Sequence, residues 1–108
     1  MILFHDNLYV ADELSSDRRK VIKKLKQGKL QMDVYVIALP QGGNDMLEIF
    51  PSYILLQKAY KQMEVNIVGL AGDQATAFSL VETMTNDCLK SRGDANVRAY
   101  FTDNRKEM

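Results

Sequence analysis

The stretch that decides the fold is residues 64–93, EVNIVGLAGDQATAFSLVETMTNDCLKSRG. Its first part, residues 65–71, is a short apolar run rich in β-branched side chains, which predicts a buried strand. From residue 73 to residue 92 the apolar side chains recur at helical spacing, and Gly93 follows as a C-terminal cap. A strand that leads directly into the longest helix is typical of a βαβ unit, and therefore indicates an α/β domain.

A second apolar run, residues 34–39, ends at Pro40. Every side chain in it is apolar, although a strand with one wet face would show alternation. A strand that helices cover on both sides has this composition, which favours a central position in a parallel sheet. We therefore predict that residues 34–39 and 65–71 are neighbouring, parallel strands.

The N-terminal half offers two more elements. Residues 8–11 predict a strand, and residues 2–4 are open as a further edge strand. A tight hairpin at residues 5–7 and a single irregular strand are both compatible with this segment. Residues 15–28 predict a surface helix, with Ser15 or Ser16 as its N-cap and Gly28 as its C-cap.

Three predictions complete the chain. Residues 46–50 predict a helical turn, because Asp45 and Glu48 fit a capping box, with an extra strand as the alternative. Residues 51–63 show helical spacing. Residues 96–101 predict the last strand, since Val97, Ala99 and Phe101 alternate with other side chains.

The predicted order is thus β-α-β-α-β-α-β, which implies a three-layer sandwich with a mainly parallel sheet of about four strands. We assign residues 1–102 to a single α/β domain and residues 103–108 to a frayed polar tail. The order of the strands within the sheet cannot be read from the sequence.

The composition excludes several classes of protein. The 108 residues carry 14 basic and 14 acidic side chains, so the net charge gives no general attraction to nucleic acid or membrane. No stretch approaches the ~20 apolar residues of a membrane span. Cys88 is the only cysteine, which excludes an internal disulfide and favours a cytoplasmic setting.

Two loops define a candidate ligand site. The carboxyl ends of parallel strands meet at one edge of a sheet, where helix N-termini attract anions. We predict a small-ligand site for an anion or nucleotide there, formed by Gly42, Gly43, Asn44, Asp45, Gly72 and Asp73. The alternatives are a flexible connector at residues 40–45 and a tight turn capped by Asp73, whose carboxylate would repel an anion.

A basic helix is the second candidate site. It carries half of all the positive charge, on Arg18, Arg19, Lys20, Lys23, Lys24, Lys26 and Lys29. Such a surface attracts an acidic protein partner, nucleic acid or the acidic remainder of a second copy, and the alternative is a solvated face. No aromatic side chain is interleaved to stack on bases, which argues against nucleic acid.

No catalytic constellation is present. His5 is the only histidine and Cys88 lies on the apolar row of its helix, where a buried structural thiol is expected. A zinc site lacks ligands, so we predict no metal and no cofactor. We therefore predict a non-enzymatic binding or assembly module that forms a homo-oligomer. Ligand binding at the two loops and partner binding at the basic helix are the alternatives.

Overall fold

The computed structural model describes residues 1–40 and 46–106. The described strands form one four-stranded sheet. They are β1 (Ile2–Val10), β2 (Tyr35–Ala38), β3 (Glu48–Pro51) and β4 (Val65–Ala71). The described helices are α1 (Asp12–Ser15), α2 (Arg18–Lys26), a 3₁₀ helix (Ser52–Leu56), α3 (Lys58–Lys61), α4 (Gln74–Arg92) and α5 (Val97–Lys106).

The sheet is mixed, with the strand order β1-β4-β2-β3. β1 pairs with β4 in parallel, whereas β2 is antiparallel to both β4 and β3. Strand β2 therefore runs opposite to the other three. The predicted mainly parallel sandwich with the order β-α-β-α-β-α-β is wrong. The two apolar runs are neighbours as predicted, but they are antiparallel.

The apolar character of β2 has a cause that does not require parallel pairing. Along this strand Val36 and Ala38 pack into one apolar cluster and Ile37 packs into the other. Helices α4 and α5 supply the cluster around Ile37, while α2 and the 3₁₀ helix supply the opposite one. Both sides of β2 are therefore buried whichever way the strand runs. The connection to β3, residues 39–47, is shorter than the dozen or so residues that a parallel crossover needs.

The predicted helical turn at residues 46–50 is wrong, and the alternative of an extra strand is confirmed. Ile49 and Phe50 contact opposite clusters, which is the two-residue period of a strand. Ile49 pairs with Ile37 and Phe50 with Val36. The predicted helix over residues 51–63 is split into a 3₁₀ helix and α3, because the backbone at Gln57 is extended.

The predicted strand at residues 96–101 is wrong, because this segment begins α5. The side-chain oxygen of Asn96 accepts a hydrogen bond from the Ala99 amide at 3.1 Å, which caps the helix. Val97, Tyr100 and Phe101 are all buried, at the three- and four-residue spacing of one helical face. The alternation of Val97, Ala99 and Phe101 fits a strand equally well, and it misled the prediction.

The N-terminal segment is a single irregular strand, as one of its two alternatives proposed. Phe4 pairs with Ile67 and Tyr9 with Gly69, so most of the residues between Phe4 and Tyr9 bulge out of the pairing. Inside this bulge the Asn7 amide donates to Nδ1 of His5 at 2.9 Å. The histidine side chain thus satisfies a backbone donor that the sheet does not reach.

Helix α4 matches its prediction at both ends. Oδ1 of Asp73 accepts from the Thr76 amide at 2.7 Å, and this hydrogen bond lowers the pKa of the Asp73 carboxyl below its usual value. Gly93 has a φ of 82°, the left-handed conformation of a C-cap. By contrast, Ser15 and Ser16 do not cap α2. Its N-cap is Asp17, and the Ser15 hydroxyl donates to the Asp12 carbonyl instead.

Candidate functional site

The carboxyl ends of β2 and β4 lie at opposite ends of the sheet, because the two strands are antiparallel. The edge that the predicted ligand site required is therefore not shared. Tyr35 at the start of β2 pairs with Ala71 at the end of β4, while Ala38 pairs with Ile67. The chain therefore leaves β2 at the end of the sheet away from Gly72. Gly42, Gly43, Asn44 and Asp45 lie outside the described residues, and the ligand site assigned to them stays a prediction.

The other part of that predicted site, Gly72 and Asp73, is engaged in local hydrogen bonds. The Gly72 amide donates to Oε1 of Glu13 at 2.9 Å, so a carboxylate of α1 already occupies it. Asp73 accepts from the Thr76 amide, as described above. The arrangement agrees with the alternative of a tight, capped turn.

Four of the seven basic residues of the predicted patch line one or both of two adjoining concavities. Six of the seven belong to α2 and Lys29 follows it. Arg19, Lys23 and Lys26 border a shallow depression of about 460 Å³ beside Ile22. Lys26 also lines a second concavity, together with Lys29. We call this second concavity the lysine cleft.

The lysine cleft has a volume of about 410 Å³ and combines lysines with apolar side chains. Lys26 and Lys29 belong to the basic patch, and Lys61 of α3 joins them although it is far away in sequence. Its full lining is Met1, Ile2, Leu25, Lys26, Gln27, Gly28, Lys29, Ser52, Leu55, Leu56, Tyr60 and Lys61. Neither Asp nor Glu occurs among these lining residues. The volume is that of a pocket for a small organic molecule.

The turn after α2 shapes one wall of the lysine cleft. Gly28 has a φ of 69°, which side chains with a Cβ rarely adopt, and it ends the helix as predicted. The Gly28 amide donates to the Leu25 carbonyl at 3.2 Å and the Lys29 amide to the Lys24 carbonyl at 3.0 Å. This reversal brings Lys29 onto the same cleft as Lys26.

The opposite wall is the 3₁₀ helix. Its first residue, Ser52, is buried and donates from its hydroxyl to the Gln31 carbonyl at 3.0 Å. The Ser52 amide donates to the Val34 carbonyl at 2.9 Å. These two hydrogen bonds fasten the 3₁₀ helix to the segment before β2, and so fix Leu55 and Leu56 in place along the cleft.

A second cluster of polar side chains lies on the other side of the sheet. The Tyr9 hydroxyl donates to Oδ2 of Asp87 at 2.6 Å and lies 3.0 Å from the Tyr100 hydroxyl. Burial raises the pKa of Tyr9 far above its ordinary value, and the hydrogen bond to Asp87 raises it further. These hydrogen bonds join β1 to α4 through Asp87 and place it beside α5 at Tyr100.

His5 belongs to this neighbourhood: it lies in β1, an edge strand of the sheet, but its side chain is only 9% exposed. Its Nε2 lies 2.8 Å from the Phe101 carbonyl oxygen. Because Nδ1 accepts from Asn7, the proton of the neutral ring is on Nε2, which donates to that carbonyl. Nε2 thus joins β1 to α5, while Nδ1 holds the bulge within β1 itself.

Cys88 is the buried structural thiol that the sequence predicts. Its side chain is fully buried and its Sγ donates to the Asp94 carbonyl at 3.2 Å. Burial raises the pKa of the thiol, and the Asp94 charge adds to the effect. Among the residues that the structure describes, no three His, Cys, Asp or Glu side chains are grouped so as to hold a metal ion.

Comparison with family models, with curated proteins and with solved structures finds no match to this chain. None of the described helices is long and apolar enough to cross a membrane.

Proposed function

We propose that this domain is a non-enzymatic binding module that holds an organic anion in the lysine cleft. The observation that carries the proposal is the lining itself. Lys26, Lys29 and Lys61 converge on one cleft, and none of the residues that line it is Asp or Glu. The chain as a whole is neutral, but positive charge is concentrated at this cleft. A bound anion would neutralise it.

Charge alone does not make such a site selective. An exposed ion pair contributes about 0.2–1 kcal/mol, because water and salt screen it. The lysine cleft adds walls that are fixed by the turn at Gly28 and by the hydrogen bonds of Ser52. Preformed walls reduce the entropy lost on binding, and they favour a ligand that contacts them.

The cleft is tested by reversing two of its charges. We expect Lys29→Glu combined with Lys61→Glu to weaken anion binding about tenfold, since two attractions become repulsions and about 1.4 kcal/mol is a factor of ten in Kd. Binding is measured by isothermal titration with a panel of carboxylates and phosphate monoesters.

The matched control is Lys20→Glu combined with Lys90→Glu, which changes the net charge equally at exposed lysines outside the cleft. We expect the control to bind within a factor of two of the unaltered protein. The proposal is wrong if no anion of the panel binds, or if the two double variants weaken binding equally.

Self-association is a second proposed function, and an exposed apolar pair on α4 favours it. Phe78 is 54% exposed and Leu89 is 45% exposed. They are three helical turns apart and so lie on the same side of α4. Exposed large apolar side chains on one side of a helix can contribute to an interface between proteins.

Sedimentation equilibrium tests this second function. We expect a dimer or higher oligomer that Phe78→Ser combined with Leu89→Ser converts to a monomer, because the substitutions remove the aligned apolar side chains. Leu30→Ser combined with Met32→Ser is the control, since these two apolar residues lie elsewhere and are more exposed, at 61% and 65%. A monomer at the highest accessible concentration would rule out self-association.

The setting that we propose for both functions is the reducing cytoplasm. The support is the lone cysteine, Cys88, whose thiol is buried and has no second cysteine to pair with. Secreted domains of this size more often depend on disulfides.

A further inference from the structure

We propose that the ligand of the lysine cleft is a single-chain amphiphilic anion, whose charged head contacts the lysines and whose alkyl chain lies on the apolar floor. This inference rests on the proposed function, because it assumes that the cleft binds an anion. It adds the apolar half of the ligand, which comes from a separate set of residues.

The floor of the lysine cleft is built from side chains of three elements. Ile2 belongs to β1, Leu25 to α2, and Leu55 and Leu56 to the 3₁₀ helix. Leu25 and Leu55 are buried, whereas Ile2 and Leu56 are half-buried and can still lose exposed surface to a ligand. A small, fully hydrated anion gains nothing from such a floor, because losing its water against apolar groups costs free energy.

The three lysines of the cleft are exposed to solvent, unlike the apolar residues of the floor. Lys26, Lys29 and Lys61 are all exposed and line the cleft, and a lysine can keep its ammonium group hydrated while its alkyl stem lies on apolar surface. Nζ of Lys26 also lies 5.7 Å from the centre of the ring of Phe4, a residue outside the lining. A ligand that matches this division of polarity has one anionic end and one apolar end.

The lining has three neutral polar side chains, Gln27, Ser52 and Tyr60. The Ser52 hydroxyl is buried and donates to the Gln31 carbonyl. The Tyr60 ring is tilted at 41° against Phe50, with 5.9 Å between the ring centres. The apolar side chains outnumber these polar ones, which favours an alkyl chain over a base.

A chain-length series on the unaltered protein tests the inference. Butyrate, hexanoate and octanoate share one head group and are titrated calorimetrically below the concentration at which micelles form. Each fully buried methylene contributes a factor of about four in Kd. We expect octanoate to bind at least ~10-fold more tightly than butyrate, with octanol and octylamine both weaker than octanoate.

Two variants separate the head from the tail. Lys29→Glu with Lys61→Glu is expected to weaken butyrate and octanoate alike, since it acts on the head. Leu56→Ser is expected to weaken octanoate several-fold and butyrate much less, since the short chain covers little of the apolar floor. Circular dichroism checks that each variant is folded. If a variant does not fold, the chain-length series on the unaltered protein still tests the inference.

The possible failures are distinguishable. If inorganic phosphate or butyrate binds as tightly as octanoate, the amphiphile inference is overturned and the anion-binding function stands. If octylamine or octanol binds as tightly as octanoate, the cleft is merely apolar, and both proposals are overturned. If no anion binds, both fall as well.

Discussion

Replacing Phe101 with alanine is expected to lower the free energy of unfolding by about 3–5 kcal/mol, the cost of removing a large aromatic side chain from a core. Phe101 is fully buried and lies among three other rings. Its ring centre is 5.0 Å from His5, 5.9 Å from Tyr9 and 5.2 Å from Tyr100, each in an edge-to-face arrangement. The stability of a domain is about 5–15 kcal/mol, so the loss is a large part of the total.

Urea denaturation measures this loss, and the chain provides a matched control. Leu30 is also a large apolar residue, but its side chain is 61% exposed and lies outside the proposed interface, so Leu30→Ala is expected to change the stability by no more than about 0.5 kcal/mol. A loss of less than 1 kcal/mol in Phe101→Ala would show that α5 does not pack on β1 as the structure has it.

The second large effect concerns the contact between β4 and α4. Gly69 has no Cβ, and a Cβ placed there would lie 2.7 Å from Cε of Met84 and 2.9 Å from Cδ1 of Ile37. Met84 is fully buried, so Met84→Ala is expected to cost about 2–5 kcal/mol. Gly69→Ala overfills the same place, at a cost of about 1–3 kcal/mol.

The double variant Gly69→Ala with Met84→Ala is expected to lose less unfolding free energy than the sum of the losses in the two single variants. The new methyl group occupies part of the space that Met84 leaves, so we expect a favourable coupling of at least ~1 kcal/mol in a double-mutant cycle. Gly69→Ala with Leu25→Ala is the control pair, because Leu25 packs in the opposite cluster. That pair should be additive within about 0.5 kcal/mol, and equal additivity in both pairs would refute the coupling.

Much of the secondary structure could be predicted, because it depends on neighbouring residues. The helix from Asp73 to Gly93 is defined by its caps and its spacing, and β4 by a run that is apolar apart from Asn66. The direction of β2 could not be predicted. The apolar composition of β2 indicates that both faces of the strand are buried. A parallel and an antiparallel strand can be buried equally, so the composition does not indicate the direction.

The error at residues 96–101 has a related cause. Val97, Ala99 and Phe101 fit a strand, while Val97, Tyr100 and Phe101 fit a helix. Six residues are too few to separate a period of 2 from one of 3.6 when both have apolar matches. The cap at Asn96 was the local signal that could have decided it.

Only part of the lysine cleft could be predicted from the sequence. Lys26 and Lys29 stand out as members of a basic run, but Lys61 reads as one more solvated lysine of another helix. Its position beside Lys29 depends on how the 3₁₀ helix and α3 return over the sheet, which no local pattern records. The roles of His5 and Asp87 were missed for the same reason, because their partners are far away in sequence.

The pairing of β1 with β4 has a consequence for the order in which the chain folds. Ile2 lies beside Val65, so the first strand joins a partner about sixty residues downstream. Closing such a large loop is slow in comparison with forming the β2–β3 pair, whose partners are close along the chain. On a ribosome, β1 therefore has to wait for residues 65–71 to emerge before it can enter the sheet.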